Sequence, residues 1–283
     1  RIGVGKLGIR QVRFTGGEPL LRKSLEKIIA ATKELRTDQG RSPSTALTTN
    51  GLGLEKRAGA LAAAGLDRIN ISLDTIDRER YAALTRRDRL DHVLQAIAAA
   101  DAAGLHPIKI NAVVMPGVNE EDIVPLADYA VHHGAQLRFI EQMPLGPREQ
   151  WRREDMVTAE DILARLRTHF SMTPAREPRG SAPAALWEVS APDGTHGTLG
   201  IIASVTHPFC GDCDRTRLTT DGAIRNCLFG NSETPLRDLL RSGASDEDIM
   251  EAWAGEMWTK KPGHGIDDEG FLQPDRPMSA IGG

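Results

Sequence analysis

The sequence lacks long hydrophobic runs, and none approaches the roughly 18 consecutive apolar residues that a membrane span requires. It also lacks a signal-peptide pattern at its start. A strong charge of one sign is missing too, because the formal net charge is −4 over 283 residues. Nothing in the overall charge therefore attracts nucleic acid or a membrane surface. We expect a cytoplasmic globular protein that has neither nucleic acid nor membrane as a partner.

Cysteine is scarce, and the chain's 3 cysteines all lie in one short segment, as Cys210, Cys213 and Cys227. An odd number confined to one segment argues against a disulfide scaffold and favours metal-bound thiolates. The spacing leaves two sites open. One is a closed zinc site with His207 as its fourth ligand. The other is a [4Fe-4S] cluster held by three cysteines, which leaves one iron without a protein ligand.

The first half of the chain alternates short β-branched runs with longer runs at helical spacing, a pattern typical of βα units and a parallel sheet. The predicted strands are Ile9–Phe14, Thr45–Thr49, Arg68–Leu73, Ile108–Met115 and Gln136–Ile140. The predicted helices are Leu25–Leu35, Glu55–Ala64, Leu90–Ala103 and Glu121–His133. We therefore predict an α/β fold in which residues 1–145 form an open or closed parallel β/α barrel.

The second half, residues 146–283, has a mixed pattern that predicts a separate α+β domain. The predicted helices are Thr158–Phe170 and Ser245–Trp258, and the predicted surface loop is Ser171–Pro183. The predicted strands are Leu186–Val189, Thr198–Val205, Arg217–Thr220 and Ala223–Asn226. The dipeptides Asp193-Gly194 and Asp221-Gly222 are typical of hairpin turns. The tail from residue 261 onwards shows little periodicity.

Polar residues gather where the five predicted strands of the first half end. They include Thr15 to Glu18, Thr48 to Asn50, the group Asn70, Ser72 and Asp74, the pair Lys109 and Asn111, and Glu141 with Gln142. The carboxyl ends of parallel strands share one rim, where ligands bind in α/β barrels. The alternative is that these residues only cap helices and form turns.

Two arginines, Arg215 and Arg217, follow Cys213 at a spacing of two. If the segment is extended, both side chains point to the same face. Adjacent guanidinium groups suit a polyphosphate, whereas solvated surface arginines are the ordinary alternative.

Several motifs together resemble one family. They are VRFTGGEPLLR, LTTNG, INISLD, IKINAVV, RFIEQMP, CGDCDRTRLTTDG and a terminal IGG. In this order they are similar to the radical-SAM GTP 3′,8-cyclase family of molybdenum cofactor biosynthesis. The resemblance implies a partial β/α barrel that binds S-adenosylmethionine and one [4Fe-4S] cluster. It also implies a C-terminal domain with an auxiliary [4Fe-4S] cluster, and GTP bound between the two.

The resemblance also implies roles for individual residues. Cys210, Cys213 and Cys227 match the ligands of the auxiliary cluster, and Gly282 and Gly283 match a catalytic tail. The positions that match S-adenosylmethionine contacts are Gly17, Ser72 and Met143, and Glu18 is a candidate acceptor for the ammonium group of that cofactor. The positions that match GTP contacts are Arg13, Thr48, Lys109, Arg215 and Arg217. His207 then becomes a neighbour of the cluster rather than a ligand.

The implied reaction converts GTP to (8S)-3′,8-cyclo-7,8-dihydroguanosine 5′-triphosphate, which makes the enzyme a lyase. The implied partners are a reductant protein and the downstream cyclic pyranopterin monophosphate synthase (MoaC), which takes the product. A homodimer is also compatible with the resemblance.

One part of the family's pattern is missing from the sequence. The Cys-x3-Cys-x2-Cys motif that holds the first cluster lies upstream of Gly-Gly-Glu-Pro in the family, and here Gly16 is preceded by 15 residues without a cysteine. The chain also starts at Arg1 rather than at Met. We expect a fragment that lacks an N-terminal strand and cannot by itself cleave S-adenosylmethionine reductively.

Two alternatives stay open from the sequence. A radical-SAM enzyme that modifies peptides with an auxiliary cluster generally carries more cysteines in its C-terminal domain. A non-catalytic Cys3His zinc protein would use His207. The peptide-modifying alternative would leave the Arg-x-Arg pair and the terminal glycines unexplained, and a colourless protein that contains zinc would support the second alternative.

Overall fold

The computed structural model describes residues 1–145, 151–269 and 271–281. Its helices are α1 Ile2–Gly5, α2 Leu25–Glu34, α3 Ala58–Ala63, α4 Arg78–Thr85, α5 Leu90–Ala102, α6 Ile123–His132, α7 Ala159–Arg167, α8 Leu236–Arg241, α9 Asp246–Trp258 and α10 Met278–Ile281. Its strands are β1 Gln11–Phe14, β2 Ser44–Thr49, β3 Arg68–Ser72, β4 Ile108–Val114, β5 Gln136–Glu141, β6 Ser171–Pro174, β7 Ala185–Ser190, β8 His196–Ile202, β9 Arg217–Leu218, β10 Ala223–Arg225 and β11 Thr234–Pro235. No helix in the described part of the chain is long and apolar enough to cross a membrane.

Eight strands form the main sheet, in the order β1-β2-β3-β4-β5-β8-β7-β6. The first five strands are parallel and lie in chain order, and β8 is also parallel to β5. Strands β7 and β6 then pair antiparallel at one edge. The predicted α/β class and parallel sheet are therefore confirmed, and the sheet is open, with β1 and β6 as its outer strands among the described residues.

Alternation along the strands gives the sheet two different faces. One face is packed against the helices and is almost completely buried; it carries Leu47, Ile69, Ile71, Ile108, Ile110, Leu137 and Phe139. Each such side chain contributes about 1.5–3 kcal/mol through burial. The other face, called here the inner face, carries Arg13, Thr48, Arg68, Asn70, Lys109, Asn111 and Arg138. The same period of two that builds the core therefore gathers the polar side chains on the opposite face.

Glu141, at the end of β5, joins three elements. Its side chain is fully buried and accepts hydrogen bonds from the backbone N–H groups of Ala159, Val205 and Thr206 at 2.8, 2.8 and 2.9 Å. The Thr206 hydroxyl donates a fourth bond at 2.5 Å. A buried carboxylate needs such donors because desolvation is costly. The polar end of β5 is thus structural at Glu141, whereas the sequence placed it on the ligand rim.

Strands β6 to β8 of the second half differ from one prediction and agree with another. Ser171–Pro174 forms strand β6, so the loop predicted over Ser171–Pro183 is wrong at its start. The hairpin between β7 and β8 turns at Asp193-Gly194 as predicted, with φ of +89° at Gly194. Strands β6 to β8 join the sheet of the first half, which is therefore continuous across the predicted domain boundary at residue 145.

A smaller sheet, β11-β10-β9, carries the cysteine segment. Strands β9 and β10 meet at the predicted Asp221-Gly222 turn, where Gly222 has φ of +85° and its N–H bonds the carbonyl of Thr219 at 3.0 Å. Ile224, Leu236 and Ile249 form the small core beneath this sheet. Helix α9 begins at a capping box in which the Ser245 and Asp248 side chains each bond the other's backbone.

Candidate functional site

Four cations lie on the inner face of the main sheet: Arg13, Arg68, Lys109 and Arg138. Burial, followed by the charges of Arg138, Arg68 and Arg13, lowers the pKa of Lys109 to about 8. Burial and the charges of Arg68, Arg215 and Arg217 lower the pKa of Arg13 to about 10. The pKa of Arg138 falls to about 10, mainly through burial and then through Arg13 and Arg68. These cations are therefore close enough to repel one another.

Arg215 and Arg217 bring charge to the same place from the smaller sheet. Both lower the pKa of Arg13, which lies in β1 of the main sheet. Burial lowers the pKa of Arg217, and the charge of Arg215 adds to that effect. The two sheets thus bring their cations together into one site. We call the set Arg13, Arg68, Lys109, Arg138, Arg215 and Arg217 the cation cluster.

The cation cluster has no carboxylate partner within ion-pair distance in the described part of the chain. Arg68 instead bonds the Ser44 hydroxyl at 2.6 Å, and Arg138 bonds the Asn111 side-chain oxygen at 3.0 Å. Arginines elsewhere are paired; Arg10, for example, binds Asp38 at 2.6 Å. Keeping like charges together without compensation is unfavourable, so the site is suited to a multiply charged anion.

Three further predicted ligand positions lie on or near this face. Thr48 accepts a hydrogen bond from the Asn70 amide at 3.3 Å, and Asn70 is itself 1% exposed. Ser72 is exposed at the end of β3, and Met143 is half-buried just after β5. The structure therefore places these residues at the predicted rim, while their contacts to ligands stay predictions.

The Gly-Gly-Glu-Pro segment has a structural role that the sequence did not reveal. The Glu18 carboxylate accepts hydrogen bonds from Leu20 N at 2.9 Å, from the Thr49 hydroxyl at 2.7 Å and from Asn50 N at 2.8 Å. It thereby ties the loop after β1 to the end of β2. A Cβ atom added to Gly17 would meet nothing within 4 Å, so the fold itself does not require glycine there. Glu18 as an acceptor for S-adenosylmethionine stays a prediction.

The three cysteines are neighbours in the structure. Burial raises the pKa of the Cys210 thiol, and the charges of Cys227 and Cys213 raise it further. Burial acts in the same direction on Cys213, but the backbone N–H of Arg215 and the charges of Arg215 and Lys260 outweigh it and lower the pKa of that thiol. The backbone N–H of His264 also donates to Cys210. Hydrogen-bond donors and positive charge thus surround the thiols, which fits sulfur that is bound to a metal as thiolate.

The kind of metal site at the three cysteines stays a prediction. No group of three His, Cys, Asp or Glu side chains among the described residues is positioned to hold one metal ion. His207 is exposed and is not among the groups that shift the pKa of Cys210 or Cys213.

Sequence reasoning missed four residues of this site: Arg68, Arg138, Lys260 and His264. Arg68 and Arg138 could have been predicted from the sequence. Arg68 lies two residues before Asn70 and therefore on the same face of β3, and Arg138 lies opposite Asn111. Lys260 follows the end of α9 and His264 lies in the tail, where no periodicity marks either position. The predicted tail residues Gly282 and Gly283 lie outside the described residues; Ile281, just before them, is 1% exposed.

Comparison with known proteins agrees with this architecture. Residues 1–130 match the family model described as the Radical SAM superfamily, and residues 135–266 match the one described as Molybdenum Cofactor Synthesis C. The chain is therefore a radical SAM protein whose second half is of the molybdenum cofactor synthesis type. The predicted α/β radical-SAM fold is confirmed, whereas the auxiliary cluster of the second half stays a prediction.

The curated relatives narrow the class to one family. The GTP 3′,8-cyclase of Corynebacterium glutamicum is 74% identical over 286 residues, which cover 100% of this chain and 76% of that protein. GTP 3′,8-cyclase 2 of Mycobacterium tuberculosis is 58% identical over 283 residues, covering 100% of this chain and 78% of that protein. The chain belongs to the GTP 3′,8-cyclase family.

Proposed function

We propose that this chain binds GTP in the cation cluster and acts in its conversion to (8S)-3′,8-cyclo-7,8-dihydroguanosine 5′-triphosphate. This lyase reaction is the first step of molybdenum cofactor biosynthesis. The observation that carries the proposal is the cation cluster beside the three thiols, with no carboxylate partner in the described part of the chain. The similarity to GTP 3′,8-cyclases supports guanine as the base.

The triphosphate is the part of GTP that this charge pattern suits best. Arg215 and Arg217 provide planar guanidinium groups that bind phosphate oxygens in pairs. Arg13 and Lys109 act from the opposite sheet, so the phosphates are held between two sets of cations. Thr48, whose hydroxyl oxygen accepts a hydrogen bond from Asn70, adds an O–H group that can donate to a phosphate oxygen.

Cys210, Cys213 and Cys227 are the residues that would hold the auxiliary [4Fe-4S] cluster. When bound, such a cluster supplies one iron without a protein ligand, which the guanine base can coordinate. Lys260 and the backbone N–H groups of Arg215 and His264 stabilise the sulfur charge. The cation cluster then fixes the phosphate end of the same nucleotide.

S-adenosylmethionine belongs, in this proposal, at the rim formed by Gly17, Glu18, Ser72 and Met143. All three cysteines of the sequence lie in the 210–227 segment. The sequence given therefore offers no further cysteine ligands for a cluster that would cleave this cofactor. The proposal retains Gly282 and Gly283 as a catalytic tail. It also retains cytoplasmic location, a reductant protein and transfer of product to cyclic pyranopterin monophosphate synthase.

The test is nucleotide selectivity in anaerobically reconstituted protein. We expect GTP to bind more tightly than ATP and far more tightly than guanosine. Arg217→Ala weakens GTP binding at least tenfold and leaves guanosine binding nearly unchanged. Arg241→Ala removes an exposed arginine at the end of α8 and is the matched control, with no effect. Equal binding of GTP and guanosine, or equal effects of the two substitutions, would contradict the proposal.

A further inference from the structure

The Phe209 ring, directly before Cys210, lies against two guanidinium groups. The guanidinium carbon of Arg215 is 4.7 Å from the ring centre, and that of Arg179 is 5.0 Å away. Both distances are within the range of cation–π attraction. Phe209 lies outside the motifs that carry the family resemblance.

A short loop completes the arrangement on the other side of Arg215. Its guanidinium donates to the Ser181 carbonyl at 3.2 Å, and the Ser181 hydroxyl donates to Asp214 at 2.9 Å. Arg179 closes the same loop by donating to the carbonyls of Ala182 and Pro183 at 2.7 and 2.5 Å. The loop thus accepts a hydrogen bond from the Arg215 guanidinium and also donates one to the carboxylate of the neighbouring Asp214.

These contacts orient Arg215 without neutralising it. Carboxylates orient arginines elsewhere in the chain: Arg57 binds Glu26 at 2.6 Å and Arg80 binds Asp122 at 2.5 Å. A ring face and a carbonyl fix direction but leave the net charge available. The simpler explanation is that two surface arginines merely cover an aromatic ring. That explanation does not account for the hydrogen bond from the Ser181 hydroxyl to the Asp214 carboxylate.

We propose that Phe209 is a positioning residue for the anion site, holding the Arg215 guanidinium in the orientation that binds nucleotide phosphate. The loop Arg179–Pro183 supports the same orientation through the Ser181 carbonyl. The proposal rests on the proposed function, since it assigns Arg215 to the phosphates of the bound nucleotide.

The test compares Phe209→Leu, Phe209→Tyr and Arg215→Ala by titration with GTP and guanosine. We expect Phe209→Leu to weaken GTP binding by about 3- to 30-fold, the range of a cation–π contact. Guanosine binding should stay unchanged, and Phe209→Tyr should restore GTP binding because tyrosine keeps the ring face. In the Arg215→Ala background, Phe209→Leu should have no further effect on GTP binding.

Because Phe209 adjoins Cys210, iron content and visible absorbance are measured for each variant. Inorganic tripolyphosphate is titrated as a second probe that needs no guanine contact. Phe209→Leu should weaken tripolyphosphate binding by a factor similar to that for GTP. Equal loss of GTP and guanosine, or no rescue by Phe209→Tyr, would overturn the positioning role. If Arg215→Ala leaves GTP affinity unchanged, the assignment of phosphate to the cation cluster fails instead.

Discussion

Single residues of the cation cluster carry a clear electrostatic cost. Lys109 is half-buried in β4, and its neighbours Arg13, Arg68 and Arg138 are all positive. A protein can tolerate such a group when a ligand with opposite charge compensates it. The lowered pKa of Lys109 therefore reflects how burial and the neighbouring cations disfavour its charge.

Lys109 predicts how GTP binding depends on pH. Its pKa in the free protein is about 8, against 10.5 for an ordinary lysine, and a bound triphosphate raises it again. GTP binding near pH 8.5 should therefore take up protons, and affinity should fall as pH rises above 8. Titration calorimetry in buffers with different ionisation enthalpies measures the uptake. Lys109→Arg should flatten the profile, and Lys261→Arg, at an exposed position, is the control.

The same shift fixes the sign of a stability effect without nucleotide. Between pH 8 and 10.5 the unfolded chain holds the Lys109 proton and the folded chain does not. Unfolding then takes up a proton, so the contribution of this group to the free energy of unfolding rises with pH across that window. A fall in that contribution over the same window would contradict the assignment of the pKa.

Glu141 predicts a large loss of stability from a nearly isosteric change. Glu141→Gln keeps one acceptor but turns an amide group towards the N–H donors of Val205 and Thr206. We expect the free energy of unfolding to fall by about 2–4 kcal/mol, because buried donors lose their acceptor. Urea denaturation measures this free energy of unfolding. As a control, the exposed Glu160→Gln should shift the free energy of unfolding by less than about 0.5 kcal/mol. Similar values for the two variants would contradict this account.

Whole elements depend on a few backbone positions, and the turn between β9 and β10 shows this most clearly. Gly222 has φ of +85°, and a Cβ there would lie 2.5 Å from the Arg237 Cβ. The turn returns the chain from Cys213 towards Cys227, so its shape determines whether the thiols meet.

Gly222→Ala should therefore damage both folding and cluster binding. The left-handed backbone alone costs about 1–2 kcal/mol for a residue with a Cβ, and the contact with Arg237 adds to it. We expect a lower melting temperature and less iron per chain after anaerobic reconstitution. Gly211→Ala is the control, since a Cβ at Gly211 meets nothing within 4 Å and its φ is not positive. Normal iron content in Gly222→Ala would show that the turn does not set the thiol geometry.

The elements with strong periodicity were predictable from the sequence. Strands β1 to β5 lie within two residues of their predicted bounds, because buried β-branched runs end abruptly at glycine or polar positions. Helix α4 was missed because it has almost no apolar face, and only the Asp77 cap marks its start. Strand β6 was missed because its short sequence contains Pro174 and is mostly exposed, which resembles a loop.

The residues of the candidate site also divide into those that were predictable from the sequence and those that were not. The three cysteines and the Arg-x-Arg pair were visible as motifs, because they come from one continuous segment. Arg68 and Arg138 join them only through the parallel register of four strands. Lys260 reaches Cys213 through tertiary packing that no local pattern encodes.

At the scale of the whole molecule, the two sheets act on one site. Arg13 belongs to β1 at the edge of the main sheet, and Arg217 belongs to β9 of the smaller sheet. They are separated by about two hundred residues of sequence, yet the charge of Arg217 lowers the pKa of Arg13. The central claim is that one GTP molecule bridges these two sets of cations.

The most direct test is calorimetric titration of GTP into reconstituted wild-type protein, Arg13→Ala, Arg217→Ala and the double variant. We expect one GTP per chain, at least tenfold weaker GTP binding in each single variant, and unchanged affinity for guanosine. The two losses should be non-additive, because both arginines contact one triphosphate. Two independent binding sites, or a loss confined to only one of the two variants, would contradict the claim.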